Sequence, residues 1–261
     1  MSLTLDIGAT GMLAQQLNVD TISNNVANMT TTGFKRQRAQ FQDLLYQTKI
    51  QPGAASSDST TIPSGIQQGL GVKAGSIYRI NEQGAFQNTS NPLDLAVKGV
   101  GYFQVTLPTG ETAYTRDGTF QMDQSGQVVT SKGYLVQPGI TIPSGAVGIT
   151  INAAGQVLVK VQGQTALSNV GQLQLAAFPN EAGLDAIGDN LFMETEASGA
   201  ATTGNPAATG FGSLEQGMLE SSNVNIVQEI TSLIQAQRAY EMNSKVIQTG
   251  DQMMNTITQL R

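Results

Sequence analysis

Cysteine and histidine are both absent from this sequence of 261 residues. Without cysteine the chain can form neither a disulfide bond nor a thiolate metal site. Without histidine it lacks the commonest general base and the commonest metal ligand, so Ser-His-Asp and Cys-His relays cannot be built. We therefore expect no cofactor, no bound metal and no enzymatic role.

Aromatic residues (5%) and charged residues (12%) are scarce, whereas glycine occurs 29 times. This composition is typical of a chain with many turns and small side chains rather than a dense aromatic core. The net charge of −6 disfavours nucleic acid and anionic lipid as partners. No apolar run approaches the roughly 18 residues of a membrane span, so we expect no membrane insertion. The first residues also lack the basic and apolar regions of a cleavable signal peptide.

Acidic side chains are the remaining candidates for chemistry. The Asp and Glu residues between positions 181 and 196 lack the alternating spacing and the glycine of a calcium loop, which favours solvated surface. Asp117 and Asp123 could form the carboxyl pair that glycoside hydrolysis needs. Both occupy turn positions, however, where Asp commonly caps backbone N–H groups. A protein that binds or acts on peptidoglycan is therefore kept only as an alternative.

Apolar residues recur seven apart at both ends of the chain. At the amino-terminal end these residues are Leu5, Met12, Val19 and Val26, with Ile22 alongside. At the carboxy-terminal end they are Ile226, Leu233, Tyr240, Ile247 and Met254, with Ile230 and Ile257 alongside. A heptad stripe of this length predicts helices that pair in coiled-coil fashion. The stripes could face the core of their own domain or other copies of the chain.

The start of the second helix has two candidate caps, Asn223 and Asn225. Between the two helical ends, residues 46–71 are rich in Gln, Ser, Thr, Gly and Pro. This composition fits a flexible linker, but also an arm held extended against another surface.

The middle of the chain has the period of β-strands from residue 72 to about residue 178. Short apolar runs are separated by turn signals, which predicts hairpins at 102–116 and 120–130. The pattern of the second hairpin recurs at 149–158. Residues 180–212 are rich in Gly, Ala and Thr and are predicted to be a surface loop.

The predicted fold is α+β, with paired N- and C-terminal coiled-coil helices, an extended arm and a mainly antiparallel β central domain. The N-terminal helix is assigned to residues 1–30, and the turn and arm to 31–71. The β-rich domain is assigned to 72–212 and the C-terminal helix to 213–261.

A Thr-rich turn follows the first helical pattern, within SNNVANMTTTGFKRQRAQFQDLL at residues 23–45. Gly33 is expected to adopt a backbone conformation that larger residues cannot, and so to end the helix path. Phe34 and Phe41 are expected to anchor the turn.

Lys35, Arg36 and Arg38 form a basic cluster directly after the turn. The cluster is too small, in an acidic chain, to favour nucleic acid. Its charges could meet an acidic surface, for example on a neighbouring copy, or lie in solvent.

The stretch SNNVANMTTTGFKRQRAQFQDLLYQ resembles the N-terminal signature of the bacterial flagellar rod and hook family. The segment SSNVNIVQEITSLIQAQRAYEMNSKVIQTGDQMMNTI resembles the C-terminal signature of that family, with residues 237–241 at its centre. Between them, YQTKIQPGA, PSGIQQGLGV, NPLDLAVKGVGYFQV, AYTRDGTFQMDQSGQVV and GYLVQPGITIP are similar to the distal rod subunits of the family. Hook subunits have a much larger middle, and proximal rod subunits generally lack the arm-like segment.

The resemblance implies a structural subunit of the distal rod, which self-assembles into a helical tube and transmits torque across the periplasm. It implies that the terminal helices line the inner core, that the β domain faces outward and that the arm contacts neighbouring subunits. The expected partners are other copies of the chain, proximal rod and hook subunits, the P- and L-ring proteins and the flagellar type III export apparatus. The expected location is the basal body, from periplasm to outer membrane, reached by export without a cleaved signal. Another axial position, proximal rod or hook-like, stays an alternative.

The subunit-assembly interface is expected to include the two heptad stripes, the turn with its basic cluster, and one arginine of the C-terminal signature. These residues are Leu5, Met12, Val19, Ile22, Val26, Gly33, Phe34, Lys35, Arg36, Arg38, Phe41, Ile226, Ile230, Leu233, Arg238, Tyr240, Ile247, Met254 and Ile257.

Overall fold

The computed structural model describes residues 3–52, 55–57, 60–61, 63–163 and 166–259. They form helices α1 (Leu3–Ala27) and α2 (Ile226–Gln259), a 3-10 helix (Glu181–Gly183) and a set of β-strands. The strands are β1 (Gln37–Asp43), β2 (Tyr46–Ile50), β3 (Ala55–Ser57), β4 (Thr60–Thr61), β5 (Ile66–Gly69), β6 (Val72–Arg79), β7 (Phe86–Asn88), β8 (Leu95–Lys98), β9 (Tyr102–Thr106), β10 (Thr112–Thr115), β11 (Phe120–Met122), β12 (Val128–Thr130), β13 (Leu135–Val136), β14 (Ala146–Ile151), β15 (Gln156–Val161), β16 (Ser168–Gln172), β17 (Leu175–Ala177), β18 (Asp185–Gly188), β19 (Leu191–Met193), β20 (Thr202–Gly204), β21 (Ser213–Gln216) and β22 (Met218–Glu220).

The chain divides into two compact units. Unit 1 comprises Met1–Ala27, Gln37–Tyr78 and Asn225–Arg261, and unit 2 comprises Asn28–Arg36 and Arg79–Val224. The predicted α+β fold is confirmed, because α1 packs on α2 and the strands of the sheets pair antiparallel. Within the described ranges, no helix combines the length and the apolar character needed to cross a lipid bilayer.

Unit 1 is built on the antiparallel pair of α1 and α2. Leu5, near the start of α1, lies beside Gly250 in the last part of α2. Asn25, near the end of α1, bonds to Glu229 in the first turn of α2. Helix α2 begins directly after Asn225, one of the two predicted caps. The side chain of Asn225 accepts a hydrogen bond from the Gln228 N–H at 3.3 Å.

The segment that follows α1 and the turn is a two-stranded ribbon. Strand β1 pairs with β6, β2 with β5 and β3 with β4. The register sets Tyr46 opposite Gly69 and Ile50 opposite Ile66. A flexible linker is therefore the wrong interpretation for β2 and β5, which are regular strands although most of their side chains are exposed.

Unit 2 contains a sheet with the strand order β11-β12-β13-β9-β10-β19-β18, in which β17 also pairs with β9 and β20. The hairpin predicted at 102–116 is β9–β10, and the hairpin predicted at 120–130 is β11–β12. The repeated pattern at 149–158 is the β14–β15 hairpin of a separate three-stranded sheet. All three hairpin predictions are confirmed.

The two faces of β9 contact different apolar clusters, because successive side chains of a strand point to opposite faces. Phe103 and Val105 belong to the main core, where Phe103 meets Phe120 edge-to-face with ring centroids 5.0 Å apart. Tyr102 belongs to a second cluster with Tyr114 and, among others, Phe178 and Leu184.

The prediction that residues 180–212 form a surface loop is wrong in part. Strands β18, β19 and β20 lie in this segment, and β19 pairs with β10 while β20 pairs with β17. Strands β18 and β20 are short and mostly exposed, so they lack the alternation of apolar residues that identifies a half-buried strand. Backbone hydrogen bonding to the sheet, which leaves no mark in the side-chain pattern, holds these two strands, whereas β19 also buries Leu191 in the main core.

Candidate assembly surfaces

Small residues allow the backbones of α1 and α2 to approach closely. A Cβ added at Gly8 would lie 2.7 Å from Cγ1 of Ile247, and one added at Gly11 would lie 2.8 Å from Nδ2 of Asn243. The buried row of α2 repeats every seven residues and is small or polar, with Glu229, Ala236 and Gly250 all buried. The fully buried row of α2 is therefore not the predicted heptad, although Ile247 of that heptad lies against Gly8 of α1.

We expect Gly8→Ala to lower the free energy of unfolding of the chain by up to about 2 kcal/mol. Overpacking costs roughly 1–3 kcal/mol, and the higher helix propensity of alanine offsets about 1 kcal/mol of that cost. The matched variant Gly250→Ala places its Cβ 3.4 Å from Leu5, an ordinary contact, so it should gain up to about 1 kcal/mol. Urea unfolding followed by helical circular dichroism compares the two, and equal gains in both variants would contradict the tight contact at Gly8.

The end of α1 is held by a buried side chain that sequence reasoning missed. Asn25 is 1% exposed. Its Nδ2 donates to the Gln37 carbonyl at 2.8 Å and its Oδ1 accepts from the Gln37 N–H at 2.8 Å, as a neighbouring strand would. The same Nδ2 lies 3.2 Å from Oε2 of Glu229. One signal in the sequence could have indicated this burial, because Asn25 follows Ile22 by three residues and therefore lies on the same helix face as that apolar residue.

The residues of the predicted stripe on α1 differ in how far their side chains are buried. Ile22 is buried, whereas Leu5, Met12, Val19 and Val26 are half-buried.

The predicted residues of α2 are mostly exposed. The half-buried ones are Leu233 and Ile247. The exposed ones are Ile226, Ile230, Arg238, Tyr240 and Met254. Ile257 belongs to α2, but its side chain lies outside the part of the chain that the structure describes.

Exposed apolar residues continue along α2 beyond the predicted stripe. Ile226 and Ile230 are followed at the same spacing of four residues by Ile234, which is also exposed. Residues four apart share one face of a helix. Met242 and Val246 repeat the spacing further along the helix, and Met242 is 65% exposed. Helix α2 therefore presents apolar surface to solvent over much of its length. We call Ile226, Ile230 and Ile234, which lie within about 80° of one another around the helix, the apolar face of α2.

Gly33 lies in unit 2 and has the positive φ that was predicted, +68°. A Cβ at this position would lie 3.0 Å from the backbone of Arg116 and Asp117, so a larger residue would be both strained and crowded. The role predicted for Gly33 is corrected, because α1 ends at Ala27 and Gly33 belongs to the turn that follows. Phe34 in this turn is half-buried.

Lys35 is placed differently from both expectations for the basic cluster. Its side chain is buried in unit 2, and its Nζ lies 2.6 Å from Oε1 of Glu220. Arg116 approaches the other oxygen of the same carboxylate, with Nε 2.7 Å from Oε2. All three side chains are at most 6% exposed. Lys35 is thus neither solvated nor available to another copy, because its own chain supplies the acidic partner.

The remaining members of this predicted group stay on or near the surface. Arg36 is half-buried, Arg38 is exposed on β1, and Phe41 on the same strand is half-buried. Their role in assembly stays a prediction.

The ion pairs around Glu220 shift two pKa values. Burial lowers the pKa of Lys35, although Glu220 acts in the opposite direction. Burial alone would raise the pKa of Glu220, but the nearby charges of Arg116 and Lys35 outweigh it and hold this pKa below its ordinary value of 4.5. The stability that the carboxylate contributes is therefore present above pH 4.5 and is lost as the pH falls through the lowered pKa of the folded chain.

Both carboxylates of the alternative enzymatic interpretation hold turns. Oδ1 of Asp123 accepts from the N–H groups of Ser125 at 2.9 Å and Gln127 at 2.8 Å. Asp117 accepts from the N–H of Thr119 at 3.1 Å. These are the backbone caps that Asp is expected to form at turns, and they favour the structural interpretation of this pair.

Comparison with known proteins matches three parts of the chain to family models. They describe a flagella basal body rod protein (residues 5–35), the flagellar hook protein FlgE/F/G D1 domain (96–159) and the flagellar basal body rod FlgEFG protein C-terminal (215–260). The flagellar basal-body rod protein FlgG of Caulobacter vibrioides is 62% identical over 258 residues, which cover 98% of both chains. The chain belongs to the flagellar basal-body rod protein family. FlgG of Bacillus subtilis, another member, is 40% identical over the full length of both chains.

Membership of the rod family makes this chain a structural protein of the flagellar basal body and not an enzyme. A further relative, the flagellar hook-basal body complex protein FlhP of Bacillus subtilis, is 33% identical over 94% of both chains. The matched N- and C-terminal models cover nearly all of α1 and α2, so the helix pair is built from segments that the rod family shares.

Proposed function

We propose that the chain is a structural subunit of the distal rod, which self-assembles into a helical tube and transmits torque across the periplasm. The observation that carries this proposal is the apolar face of α2, in a chain that matches basal-body rod proteins from end to end. Fully burying one isoleucine side chain contributes about 1.5–3 kcal/mol, and soluble monomers rarely leave a contiguous apolar surface in water.

A second copy of the chain is the partner that best fits this face. When one patch of a subunit binds a different patch of an identical subunit and the rotation does not close a ring, the product is a helical filament. We propose that the predicted stripe residues of α1 and α2 take part in these contacts, together with Arg36, Arg38 and Phe41. Lys35 is left out because its ammonium group is buried in its own subunit.

The functional division of the chain follows the same proposal. Residues 1–30 and the helix within 213–261 are assigned to an inner core domain, residues 31–71 to the turn and arm, and residues 72–212 to an outer β-rich domain. The two-stranded ribbon of β2 and β5 supports the arm assignment, because an isolated two-stranded ribbon is marginally stable and gains from a surface to lie on.

The proposed partners at the ends of the tube are proximal rod and hook subunits. The match of residues 96–159 to a domain model named for hook as well as rod proteins supports the hook as a neighbour. The P- and L-ring proteins are proposed to surround the tube between the periplasm and the outer membrane. The flagellar type III apparatus is proposed to export the chain without cleavage of a signal peptide.

Complementation tests this function. Expression of the chain in Caulobacter vibrioides that lacks its own FlgG should restore swimming and complete rods in electron micrographs of basal bodies. A variant without α2, expressed to the same level, is the control and should restore neither. Complete absence of rods despite normal expression would contradict the proposal, and immunogold labelling of the chain in the hook or proximal rod would favour another axial position.

A further inference from the structure

Every passage of the chain between the two units leads into one of three short segments of unit 2. The unit boundaries fall after residues 27, 36, 78 and 224. The first two enclose segment 28–36, the third opens segment 79–85, and the last follows segment 220–224. Any force that reaches unit 2 along the backbone of unit 1 therefore enters through these three segments.

One side chain, Asn223, connects all three segments. Its Oδ1 accepts from the N–H of Arg36 at 2.7 Å. Its Nδ2 donates to the carbonyl of Ile80 at 2.8 Å and to the carbonyl of Glu82 at 3.0 Å. Asparagine suits this position because a single amide group supplies both an acceptor and two donors. The Ile80 N–H completes the connection by donating to the Arg36 carbonyl at 2.8 Å.

Glu220 and Lys35 make a second set of bonds among the same segments. The backbone carbonyl of Glu220 accepts from the Gly33 N–H at 2.8 Å, and its Oε1 accepts from the Gly84 N–H at 2.9 Å. Lys35 donates to the Glu82 carbonyl at 2.9 Å as well as to the carboxylate of Glu220. Each segment is thus hydrogen-bonded to both of the others.

Arg116 fastens the joined segments to the β core of unit 2. Besides its bond to Glu220, it donates to the carbonyls of Val97 at 3.0 Å and Gly99 at 2.6 Å, and also to the carbonyl of Gly101. Val97 lies in β8 and is fully buried. A displacement of Glu220 is therefore resisted by the backbone of the core itself.

We propose that this network is a mechanical junction that distributes force among the three segments before it reaches the β core of unit 2. The proposal rests on the proposed function, because only a subunit that transmits torque needs such a device. Without the network, a force applied to one segment would act on that segment alone and would separate it from the other two. With the network, the same pull loads all three segments and the buried ion pairs together, and Asn223 is the positioning residue.

Single-molecule stretching of the full-length chain tests the junction independently of rod assembly. Because the chain has no cysteine, two cysteines can be introduced as handles without removing native ones. Handles at Arg38→Cys and Thr109→Cys load unit 2 through segments 28–36 and 79–85, because the stretch of unit 1 that contains residue 38 joins unit 2 after residue 36 and after residue 78. Handles at Thr109→Cys and Val147→Cys, both exposed sites of unit 2, avoid all four boundaries.

The expected result is a path-dependent loss. Asn223→Ala removes three hydrogen bonds, so it should shorten the lifetime under constant force on the first path on the order of tenfold to 100-fold. It should change the lifetime on the second path less than about twofold. Asn223→Asp keeps the acceptor for Arg36 but loses both donors, so its lifetime on the first path should lie between that of Asn223→Ala and that of the unchanged chain. Asn169→Ala is the matched control, at an exposed asparagine whose Oδ1 accepts a hydrogen bond from the N–H of Gly171 at 3.0 Å.

Two results of the stretching experiment would overturn the junction. One is an unchanged lifetime on both paths, and the other is an equal loss on both paths, which is the signature of a residue that only stabilises the fold. In cells, Asn223→Ala rods should assemble but break or stall in medium of raised viscosity. Normal swimming there would reject the junction while leaving the proposed rod function intact.

Discussion

Replacing Glu220 by Gln is expected to lower the free energy of unfolding by about 3–5 kcal/mol. The substitution keeps the size of the side chain but removes the negative charge between Lys35 and Arg116. Both cations are nearly inaccessible to water, and an uncompensated buried charge costs several kcal/mol. The amide also presents N–H donors toward groups that are themselves donors. Urea unfolding of the purified chain, followed by β-sheet circular dichroism, measures the loss.

Glu215→Gln is the matched control for this prediction. Glu215 pairs with Lys98 at 3.9 Å, and its side chain is 41% exposed. Exposed ion pairs of this kind contribute about 0–1 kcal/mol, so the control should change stability by no more than that. Similar losses of stability in the two variants would contradict the prediction, because they would show that burial of the charge at Glu220 does not determine the cost.

Placing two carboxylates on the apolar face of α2 is expected to abolish assembly without unfolding the monomer. The variant combines Ile230→Glu with Ile234→Glu, at two exposed positions four residues apart. Substitutions at exposed positions usually change stability by less than about 0.5 kcal/mol each. In a polymer, the variant loses the burial of two isoleucines and must desolvate two charges, which should raise the assembly concentration on the order of 100-fold or more.

A charge-matched control separates surface chemistry from net charge. Gln228→Glu combined with Gln235→Glu adds the same two charges to the same turns of α2, at exposed positions that are already polar. Sedimentation of polymer from the purified chains, together with counts of complete rods in cells, should give loss for the isoleucine pair and retention for the glutamine pair. If the isoleucine variant assembled at the normal concentration, the apolar face of α2 would not be part of the assembly interface.

The parts of the fold that the sequence predicts correctly are those whose signals are local. The β9–β10 and β11–β12 hairpins combine period-two alternation with turn residues, and both signals lie within a few residues of each other. The helices follow from heptads that span their full lengths. Strands β18 and β20 carry no such local signal, because they are short, contain glycine and are mostly exposed, so their place depends on the sheet beside them. Strand β19 is apolar, but its three residues are too few to establish a period-two alternation.

The polar junction could not be predicted from the sequence, because its members are far apart along the chain. Lys35 and Glu220 are separated by 185 residues, and Arg116 and Glu220 by 104. No local pattern marks Glu220 as the partner of two cations, and a lysine after a turn is ordinarily solvated. On α2 the difficulty is different: the heptad is correct in period, but small residues on a second heptad row take the buried side.

The segments that complete both units come last along the chain. Glu220 closes the network of unit 2, and Glu229 meets Asn25 across a separation of 204 residues in unit 1. Contacts between such distant partners form only after a large loop has been closed. A chain that emerges amino terminus first therefore cannot finish either unit until residue 220 and the helix behind it have arrived. Its own topology therefore postpones completion of both units until the last segments arrive, which is compatible with the export route proposed above.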